Sequence, residues 1–298
     1  YNWEERWIRD EGYLKIVPTA ISGLLEKTGV DPASITTFCF PVAAKRVAAS
    51  IAKKMGLPES SVADNLQNNC GETGTAHSMV MLAHALEQSK PGDKILVASF
   101  GQGSDTLLFE VTEEIKSLSS RMGITGHLAR RYAETNYNRF QAFRNLVTIE
   151  RGIRAETDKK TGLTTLYRNK GMSQRMVGGK CSQCGTAQFP KTNMCVNENC
   201  GAIGTQEDYP FAERVSRVNS YTADRLTYSP DPPAYYGMIQ FDEGGRLMSD
   251  FTDISPETEI KVGMPMKMMF RIKDYDDKRG FRRYFWKATP ADAPKKGE

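Results

Sequence analysis

The sequence predicts an α/β domain followed by a smaller all-β domain, and two patterns carry this prediction. From residue 13 to about 111, helix-like and strand-like segments alternate, as in layered α/β domains. After residue 175, short apolar strands follow one another between turns rich in proline, glycine and aspartate, as in small barrels. A chain of 298 residues with 39% hydrophobic side chains is long enough to bury a core in each part.

Composition excludes several classes of protein. The longest apolar runs, such as residues 95–100, are too short to cross a bilayer, and no export signal begins the chain, so we expect a cytoplasmic protein without a membrane segment. The net charge of +4 is too small to indicate nucleic-acid binding by itself. Because the chain starts at Tyr1 rather than methionine, we expect that an upstream portion precedes it.

The α/β part contains three predicted helices and three predicted strands. The helices span residues 13–28, 43–55 and 74–88, and the strands span 35–40, 94–100 and 107–111. Gly29 and Gly56 are placed to end the first two helices. The third helix is apolar around most of its circumference, which predicts a position inside the domain.

A basic segment separates the two parts. Between residues 121 and 170 there are eleven lysine and arginine residues against four acidic ones. Such a run indicates a solvated face, or else contacts with phosphates or an acidic partner surface. Within it, residues 138–149 place Phe140, Phe143, Leu146 and Val147 on one helical face, which is typical of a docking segment.

Four cysteines follow the basic segment with the spacing C-x2-C-x10-C-x4-C: Cys181, Cys184, Cys195 and Cys200. Two short spacings, each on a turn, supply the four soft ligands that zinc binds tetrahedrally, and four thiolates leave no open position for catalysis. The sequence therefore predicts a structural zinc site. The alternative interpretation is a cluster of reduced thiols without metal.

The candidate strands after the cysteines span residues 214–221, 234–241, 245–251, 264–273 and 282–287. Three motifs accompany them: Gln-Phe-Pro at 188–190, Asp-Arg-Leu-Thr-Tyr-Ser-Pro at 224–230 and Tyr-Phe-Trp-Lys-Ala at 284–288. Together with the cysteines, they closely resemble the zinc-ribbon OB-fold family that accompanies acyl-CoA thiolases. The resemblance covers residues 140–290, and it implies that the helix at 138–146 docks the module and that the barrel assists acyl-CoA enzymes.

Three loops of the first part carry a second resemblance. They are Phe-Cys-Phe-Pro at 38–41 with Lys45, Asn-Cys-Gly-Glu-Thr-Gly at 69–74, and Ser-Phe-Gly-Gln-Gly-Ser-Asp at 99–105. These look like the C-terminal half of a thiolase-fold enzyme of the hydroxymethylglutaryl-CoA synthase and ketoacyl synthase III branch. In that branch the loops hold a proton-shuttling histidine, an asparagine beside the thioester oxygen, and glycines that line the pocket.

The sequence departs from that pattern at two positions, because Cys39 stands where the resemblance implies the histidine and Glu72 where it implies the asparagine. A thiol accepts and returns a proton less readily than imidazole near neutral pH. Cys39 is interpreted as buried packing, as a proton carrier or as a nucleophile. Glu72 is interpreted as a helix cap or as an acid/base, and His77 as a core histidine or as a base paired with Glu72. The neighbouring Cys70 is interpreted as packing.

Four further residues are candidate contacts for coenzyme A. Lys45 and Arg46 precede the second helix, where they could meet the phosphates of a CoA thioester or simply form surface charge. Gly101 and Gly103 make a turn too short for a nucleotide fingerprint, so we interpret it as a tight turn that lets backbone approach a substrate.

These observations predict five segments: a thiolase-like C-terminal half at 1–115, a basic docking segment at 116–174, a zinc ribbon at 175–205, an OB barrel at 206–292 and a tail at 293–298. The resemblance implies formation or cleavage of carbon–carbon bonds in acyl-CoA thioesters. It also implies that a missing N-terminal half or a partner thiolase-type subunit supplies the nucleophilic cysteine, in a homo- or hetero-oligomer.

Two other functions stay open from the sequence. One is a non-catalytic accessory subunit that binds acyl-CoA for a partner thiolase, which the residues at 39 and 72 favour. The other is single-stranded nucleic-acid binding through the interleaved aromatic and basic residues at 282–287. The same residues would equally serve a barrel core and its rim.

Overall fold

The computed structural model describes residues 4–118, 121–131, 133–144, 146–150, 162–229, 231–276 and 278–291. It divides into two compact units, Tyr1–Arg131 and Tyr132–Glu298, which we name the first and the second unit. The predicted tail at 293–298 and the stretch 151–161 of the predicted basic segment lie outside the described residues. In the chain so described, no helix has the length and apolar character needed to cross a bilayer.

The first unit packs helices around a three-stranded sheet. Its strands are β1 Thr37–Cys39, β2 Lys94–Phe100 and β3 Ser104–Glu110. Its α-helices are α1 Glu5–Trp7, α2 Val17–Thr28, α3 Val47–Met55, α4 Gln67–Cys70, α5 His77–Gln88 and α6 Gly123–Ala129. A π-helix, Ile8–Ile16, joins α1 to α2, and short 3-10 helices span Pro32–Ser34, Glu59–Ser61, Gly74–Ala76 and Glu113–Ser117.

Strand β2 is the centre of this unit. It pairs in parallel with β1 and antiparallel with β3. Because successive side chains of a strand point to opposite faces, Leu96 and Ala98 pack with α2 and α3, whereas Ile95 and Val97 pack with α5. Helices therefore cover both faces of the sheet, as the predicted α/β class requires.

Four predicted helices differ from the observed ones. The helix predicted at 13–28 is a π-helix up to Ile16 and an α-helix from Val17, and the helix predicted at 138–149 ends at Phe143, so Leu146 and Val147 lie beyond it. The helix predicted at 43–55 begins at Val47, because Arg46 has a left-handed backbone (φ 64°) that a continuous helix cannot include. The prediction that the helix at 74–88 lies inside the domain holds for only one of its faces. The inner face of α5 is buried through Met81 and Ala85, but Met79 is 44% exposed. As predicted, α2 and α3 end at glycines with left-handed backbones, Gly29 and Gly56.

The second unit contains short helices and two antiparallel sheets. Its helices are α7 Tyr137–Phe143, α8 Leu163–Arg168 and α9 Lys170–Ser173. The smaller sheet has the order β5-β4-β6, with β4 Val177–Cys181, β5 Ala187–Gln188 and β6 Gln206–Pro210. The larger sheet has the order β11-β10-β7-β8-β9, with β7 Ser216–Asp224, β8 Ala234–Phe241, β9 Arg246–Asp250, β10 Pro265–Asp276 and β11 Phe281–Pro290.

The larger sheet curls until its first and last strands approach each other. Just after β9, Phe251 forms a bridge with Ala288 of β11, and the Thr252 N–H donates to the Ala288 carbonyl at 2.8 Å. The inner face of the curled sheet holds an apolar cluster that includes Val218, Ile239 and Met266. This arrangement confirms the predicted small barrel and, with the first unit, the predicted fold class.

Phe211 packs against both sheets of the second unit. The Phe211 ring lies fully buried between Phe189, with ring centroids 5.6 Å apart, and Phe241 of β8, at 4.8 Å. It also packs directly over Gly178 of β4, where a Cβ atom would collide with the ring. The ribbon sheet and the barrel therefore share one apolar core.

Substitution of Gly237 by alanine should destabilise the second unit. Gly237 lies in β8 opposite Tyr221 of β7, and an added Cβ would collide with the backbone carbonyl oxygen of Ser220, which cannot move without breaking the ladder. We expect a loss of about 2 kcal/mol or more of unfolding free energy, a typical cost of overpacking. Hydrogen exchange of β7 and β8 amides measures the change.

The matched control is Gly23→Ala in the first unit. Gly23 lies inside α2 with open space where an added methyl group would lie, so alanine should stabilise the helix by about 0.5–1 kcal/mol. Equal protection of β8 amides in Gly237→Ala and the parent protein would contradict the close approach.

Candidate functional site

The four ribbon cysteines converge on one point. Cys181 ends β4, and the turn that carries Cys184 closes when the Gly185 N–H donates to the Cys181 carbonyl at 2.8 Å. Gly185 has a left-handed backbone (φ 74°), which explains its position in this turn. Across from it, the Cys195 N–H donates to the carbonyl of Ala202, which closes the second turn.

The geometry of the four thiols fits a tetrahedral metal. All four Sγ atoms lie within 4.8 Å of one another, with 3.9 Å between Cys181 and Cys200 and 3.5 Å between Cys184 and Cys195. A zinc ion with four tetrahedral Zn–S bonds of about 2.3 Å places its sulfur atoms about 3.8 Å from one another. Zinc bound here would cross-link the two turns and support the ribbon fold.

Polar neighbours favour the thiolate form at Cys181 and Cys184, whereas desolvation and the neighbouring thiols raise the pKa values of Cys195 and Cys200. The Thr205 hydroxyl lies 3.2 Å from the Cys181 sulfur, and this hydrogen bond, together with backbone N–H groups of the first turn, lowers the pKa of Cys181 to about 6. The Asn197 amide approaches Cys184 Sγ at 3.8 Å. Sequence spacing located the four ligands, but it gave no sign of Thr205 or Asn197.

In the first unit, Cys39 lies in an entirely apolar layer. It ends β1 opposite Val97, has no exposed surface, and packs in a cluster with Met81, Ala85 and Ile95. Burial raises the pKa of the Cys39 thiol to about 12. These surroundings favour the packing interpretation over the proton-carrying and nucleophilic ones.

The structure brings Glu72 and His77 together. Glu72 Oε1 lies 3.7 Å from His77 Nδ1, and the same carboxylate accepts hydrogen bonds from the Gly74 N–H and the Gln67 side-chain amide, both at 2.9 Å. The bond to Gly74 satisfies a free N–H at the start of the helical stretch that contains α5, as the capping interpretation requires. The carboxylate stays 56% exposed.

His77 is fully buried, and its hydrogen bonds define its tautomer. Nε2 lies 2.6 Å from the Asn65 carbonyl oxygen, which can only accept, so Nε2 carries the proton. Nδ1 lies 3.1 Å from the Thr73 backbone N–H, which can only donate, so Nδ1 is the acceptor. Both ring nitrogens are thus engaged by the chain itself. Sequence reasoning missed Asn65 and Thr73 because their contacts form only when the loop folds.

The two candidate phosphate ligands lie at the rim of a cleft. Lys45 and Arg46 are exposed beside a cavity of about 390 Å³ whose walls come from residues 40–49 and 62–68. Small apolar side chains such as Ala48 and Ala63 form part of its lining. Among the described residues, no carboxylate lies within 4.0 Å of either cation, so both are available to an anionic ligand.

Gly101 and Gly103 form the hairpin turn between β2 and β3. The Gly101 N–H donates to the Gly103 carbonyl at 2.9 Å, and both residues are exposed, with open space where a Cβ would lie. Cys70 ends α4 and is exposed, so its interpretation as a packing residue was wrong.

Several aromatic and basic residues of β11 contact one another or residues of β10. Lys273 and Lys287 lie over the Phe285 ring, with the ammonium groups 5.6 and 5.1 Å from its centre, and Tyr284 stacks on Phe270 at 5.0 Å. Ring faces covered in this way are less available for base stacking, which disfavours the nucleic-acid interpretation.

Three family models match successive parts of the chain. Residues 25–107 match the 3-oxoacyl-acyl-carrier-protein (ACP) synthase III C-terminal domain. Residues 168–202 match the rubredoxin-like zinc ribbon domain of ChsH2, and residues 213–271 match the C-terminal OB-fold domain of ChsH2. These matches confirm both resemblances: the chain joins a thiolase-like C-terminal domain to a zinc ribbon and an OB fold.

Curated relatives match the first part of the chain. The hydroxymethylglutaryl-CoA synthase of Aeropyrum pernix is 28% identical over 49% of this chain and 42% of its own length. That of Methanosarcina mazei is 26% identical over 48% of this chain and 42% of its own length. The chain thus spans less than half the length of these relatives.

Solved structures with similar parts include a Ltp2–ChsH2 (DUF35) aldolase. It is 20% identical, covers 46% of this chain and all of its own, and has a TM-score of 0.33. The 3-oxoacyl-acyl-carrier-protein synthase III of Aquifex aeolicus is 24% identical over 37% of this chain and 36% of its own, with a TM-score of 0.34.

Replacement of Cys184 by serine should release the metal. The variant keeps three thiols, and we expect zinc content to fall from about one ion per chain to a small fraction of that, because structural sites need all four ligands. Elemental analysis of the purified protein measures it. Cys70→Ala removes an exposed cysteine outside the ribbon and should keep full zinc content; equal zinc in both variants would contradict the site.

Alkylation of the native protein should separate the two cysteines of the first unit. At about pH 8, iodoacetamide should modify the exposed Cys70 and leave Cys39 intact, because the raised pKa and the burial of Cys39 remove both the reactive thiolate and the access to it. Mass spectrometry locates the label. Denaturant should make Cys39 reactive, and rapid labelling without denaturant would contradict its burial.

Proposed function

We propose that the chain acts on acyl-CoA thioesters as part of an assembly that makes or breaks carbon–carbon bonds. In this assembly the chain supplies one half of a thiolase-type fold and an acyl-CoA-binding surface. The nucleophilic thiol and the general base come from a segment or a partner subunit outside residues 1–298. The matches to synthase III and to hydroxymethylglutaryl-CoA synthases support the chemistry.

The environment of Cys39 carries the proposal. A thiol whose pKa is about 12 is ionised in roughly one molecule in 10⁵ at neutral pH, so it can neither attack a thioester nor take a proton efficiently. Four of the other five cysteines are grouped in the ribbon, where they fit zinc, and the fifth, Cys70, is exposed at the end of α4. The burial of Cys39 at the position of the proton-shuttling histidine favours an accessory role for the first unit, with a nucleophile from outside the chain.

A second candidate function keeps proton transfer in the chain, through Glu72 and His77. Their 3.7 Å separation and the exposure of Glu72 favour it. Against it, the His77 ring already donates to Asn65 and accepts from Thr73, so the imidazole must break a buried hydrogen bond to exchange a proton with substrate.

Lys45 and Arg46 are the proposed contacts for the CoA phosphates. Both cations stand at the mouth of the 390 Å³ cleft, and a guanidinium offers paired N–H donors that match phosphate oxygens. In this role they contribute binding and not chemistry, which separates them kinetically from a general base.

The test uses the assembly purified with this chain in place, assayed for CoA-dependent thiolysis and for condensation over a range of acyl-CoA chain lengths. Cys39→Ala and Glu72→Ala should leave kcat within about threefold of the parent, since neither side chain reacts. Lys45→Ala and Arg46→Ala should each raise KM for the acyl-CoA by about three- to tenfold with little change in kcat.

The controls are zinc content and the unfolding midpoint of each variant, which show that the protein is intact. A fall in kcat of about a hundredfold or more for Glu72→Ala in an intact protein would support the second candidate instead. The same fall for Cys39→Ala, or an assembly without any acyl-CoA activity, would overturn the proposal.

A further inference from the structure

A cleft of about 510 Å³ lies beside the zinc ribbon, and none of the four cysteines is part of its lining. Its walls come from the end of α8, from α9 and the residues after it, and from the ribbon segments around 191–193 and 204–208. A volume of this size suits a small organic ligand and far exceeds that of an inorganic ion. The lining is polar and basic, and its side chains have distinct chemical roles.

Positive charge dominates the lining. Arg168, Arg175 and Lys191 face the cleft, against a single carboxylate, Asp208. Lys191 is bound to Asp208 at 2.7 Å, which leaves two guanidinium groups in excess. Within the described residues, neither Arg168 nor Arg175 has a carboxylate within 4.0 Å. Guanidinium groups match phosphate oxygens with paired N–H donors, so the cleft favours a phosphorylated ligand.

A second and independent feature is the side chain of Gln206, the first residue of β6. Both amide atoms of Gln206 are buried, and neither has a hydrogen-bond partner. The amide lies over Gly179 of β4, where the carboxamide oxygen would be 2.5 Å from a Cβ atom. A buried amide without partners is costly, so its presence at the cleft indicates a ligand that pairs with it.

The donor and acceptor of the Gln206 side-chain amide also favour one kind of group in the ligand. A carboxamide presents one donor and one acceptor side by side, the pattern that pairs with the amino group and ring nitrogen of adenine. Met172 and Val177 line the same cleft and offer apolar surface to the base. A phosphate at the guanidinium groups and an adenine at the amide together make an adenine nucleotide.

We propose that this cleft beside the zinc ribbon binds the phosphorylated adenosine part of a nucleotide, with Arg168 and Arg175 on the phosphates and Gln206 on the base. Pairing of a base with Gln206 requires that Lys191 move, because the amide atoms are buried in the ligand-free structure. The Lys191 stem lies against Gly179 next to the Gln206 amide, and its ammonium transfers from Asp208 to the ligand phosphate as the stem swings aside. Rotation of an exposed side chain of this kind is fast and needs no backbone change.

The site does not depend on the acyl-CoA chemistry proposed above, because adenosine phosphates occur in many ligands. Titration calorimetry on the zinc-loaded full chain carrying Lys45→Ala and Arg46→Ala, with no acyl substrate present, therefore tests it alone. The probes are adenosine 3′,5′-bisphosphate, ADP, adenosine and pyrophosphate. Tighter binding of the 3′,5′-bisphosphate identifies the nucleotide end of coenzyme A, and tighter binding of ADP identifies a 5′-diphosphate nucleotide.

The variants assign the roles within the site. Arg168→Ala and Arg175→Ala should each weaken binding of the preferred nucleotide about tenfold, and added salt should weaken it further. Gln206→Met keeps the shape of the side chain but removes the amide, so it should weaken nucleotide binding about tenfold without changing pyrophosphate binding. Arg246→Ala, an exposed arginine of β9, is the matched control and should bind like the parent.

Stability supplies a second readout for Gln206. Because the amide lacks partners, Gln206→Met should keep or raise the unfolding midpoint of the ligand-free protein, with zinc content unchanged. A lowered midpoint would mean that a bound water satisfies the amide, which overturns its role. No saturable nucleotide binding at millimolar concentration, or equal binding of pyrophosphate and nucleotide, would overturn the proposed site.

Discussion

The first unit depends on a strand that has no polar face. Along β2, the run from Ile95 to Val97 has at most 2% of its surface exposed, and its side chains alternate between two apolar clusters. Such a strand is stable only if helices cover both sides of the sheet. The side chains of the neighbouring strand β1 are covered by the same helices, so they must be apolar or small. Cys39 pairs with Val97 and lies in one of these apolar clusters. This burial raises the pKa of the Cys39 thiol and keeps solvent away from it.

Much of this architecture could be predicted from the sequence, because the signals are local. The periodicity of β8 and β2, and the glycines after α2 and α3, located the strands and the ends of those helices to within a residue. The start of α3 could not be predicted, because arginine rarely adopts the left-handed backbone that Arg46 has in the structure. The exposure of Met79 could not be predicted either, because an apolar residue type does not show whether another element of the fold covers its side chain.

The candidate sites likewise differ in whether they depend on residues close in sequence or on contacts that form only in the folded chain. Spacing alone predicted the cluster of four cysteines, since a metal that binds them requires short spacings within each pair. The loop around His77 was harder, because the Asn65 carbonyl that fixes the imidazole lies twelve residues away. The unsatisfied amide of Gln206 leaves no sequence signal at all; it is defined only by atoms that approach Gly179 across the sheet.

The shared position of Phe211 has a consequence for how the second unit comes apart. Its ring belongs to the core of the barrel and also lies on Gly178, three residues before the first cysteine of the ribbon. Loss of the cross-link between the two cysteine turns would loosen β4 and, through that ring, the packing around Phe241. Metal binding at the ribbon would in this way stabilise the barrel as well, although none of the four cysteines belongs to the barrel.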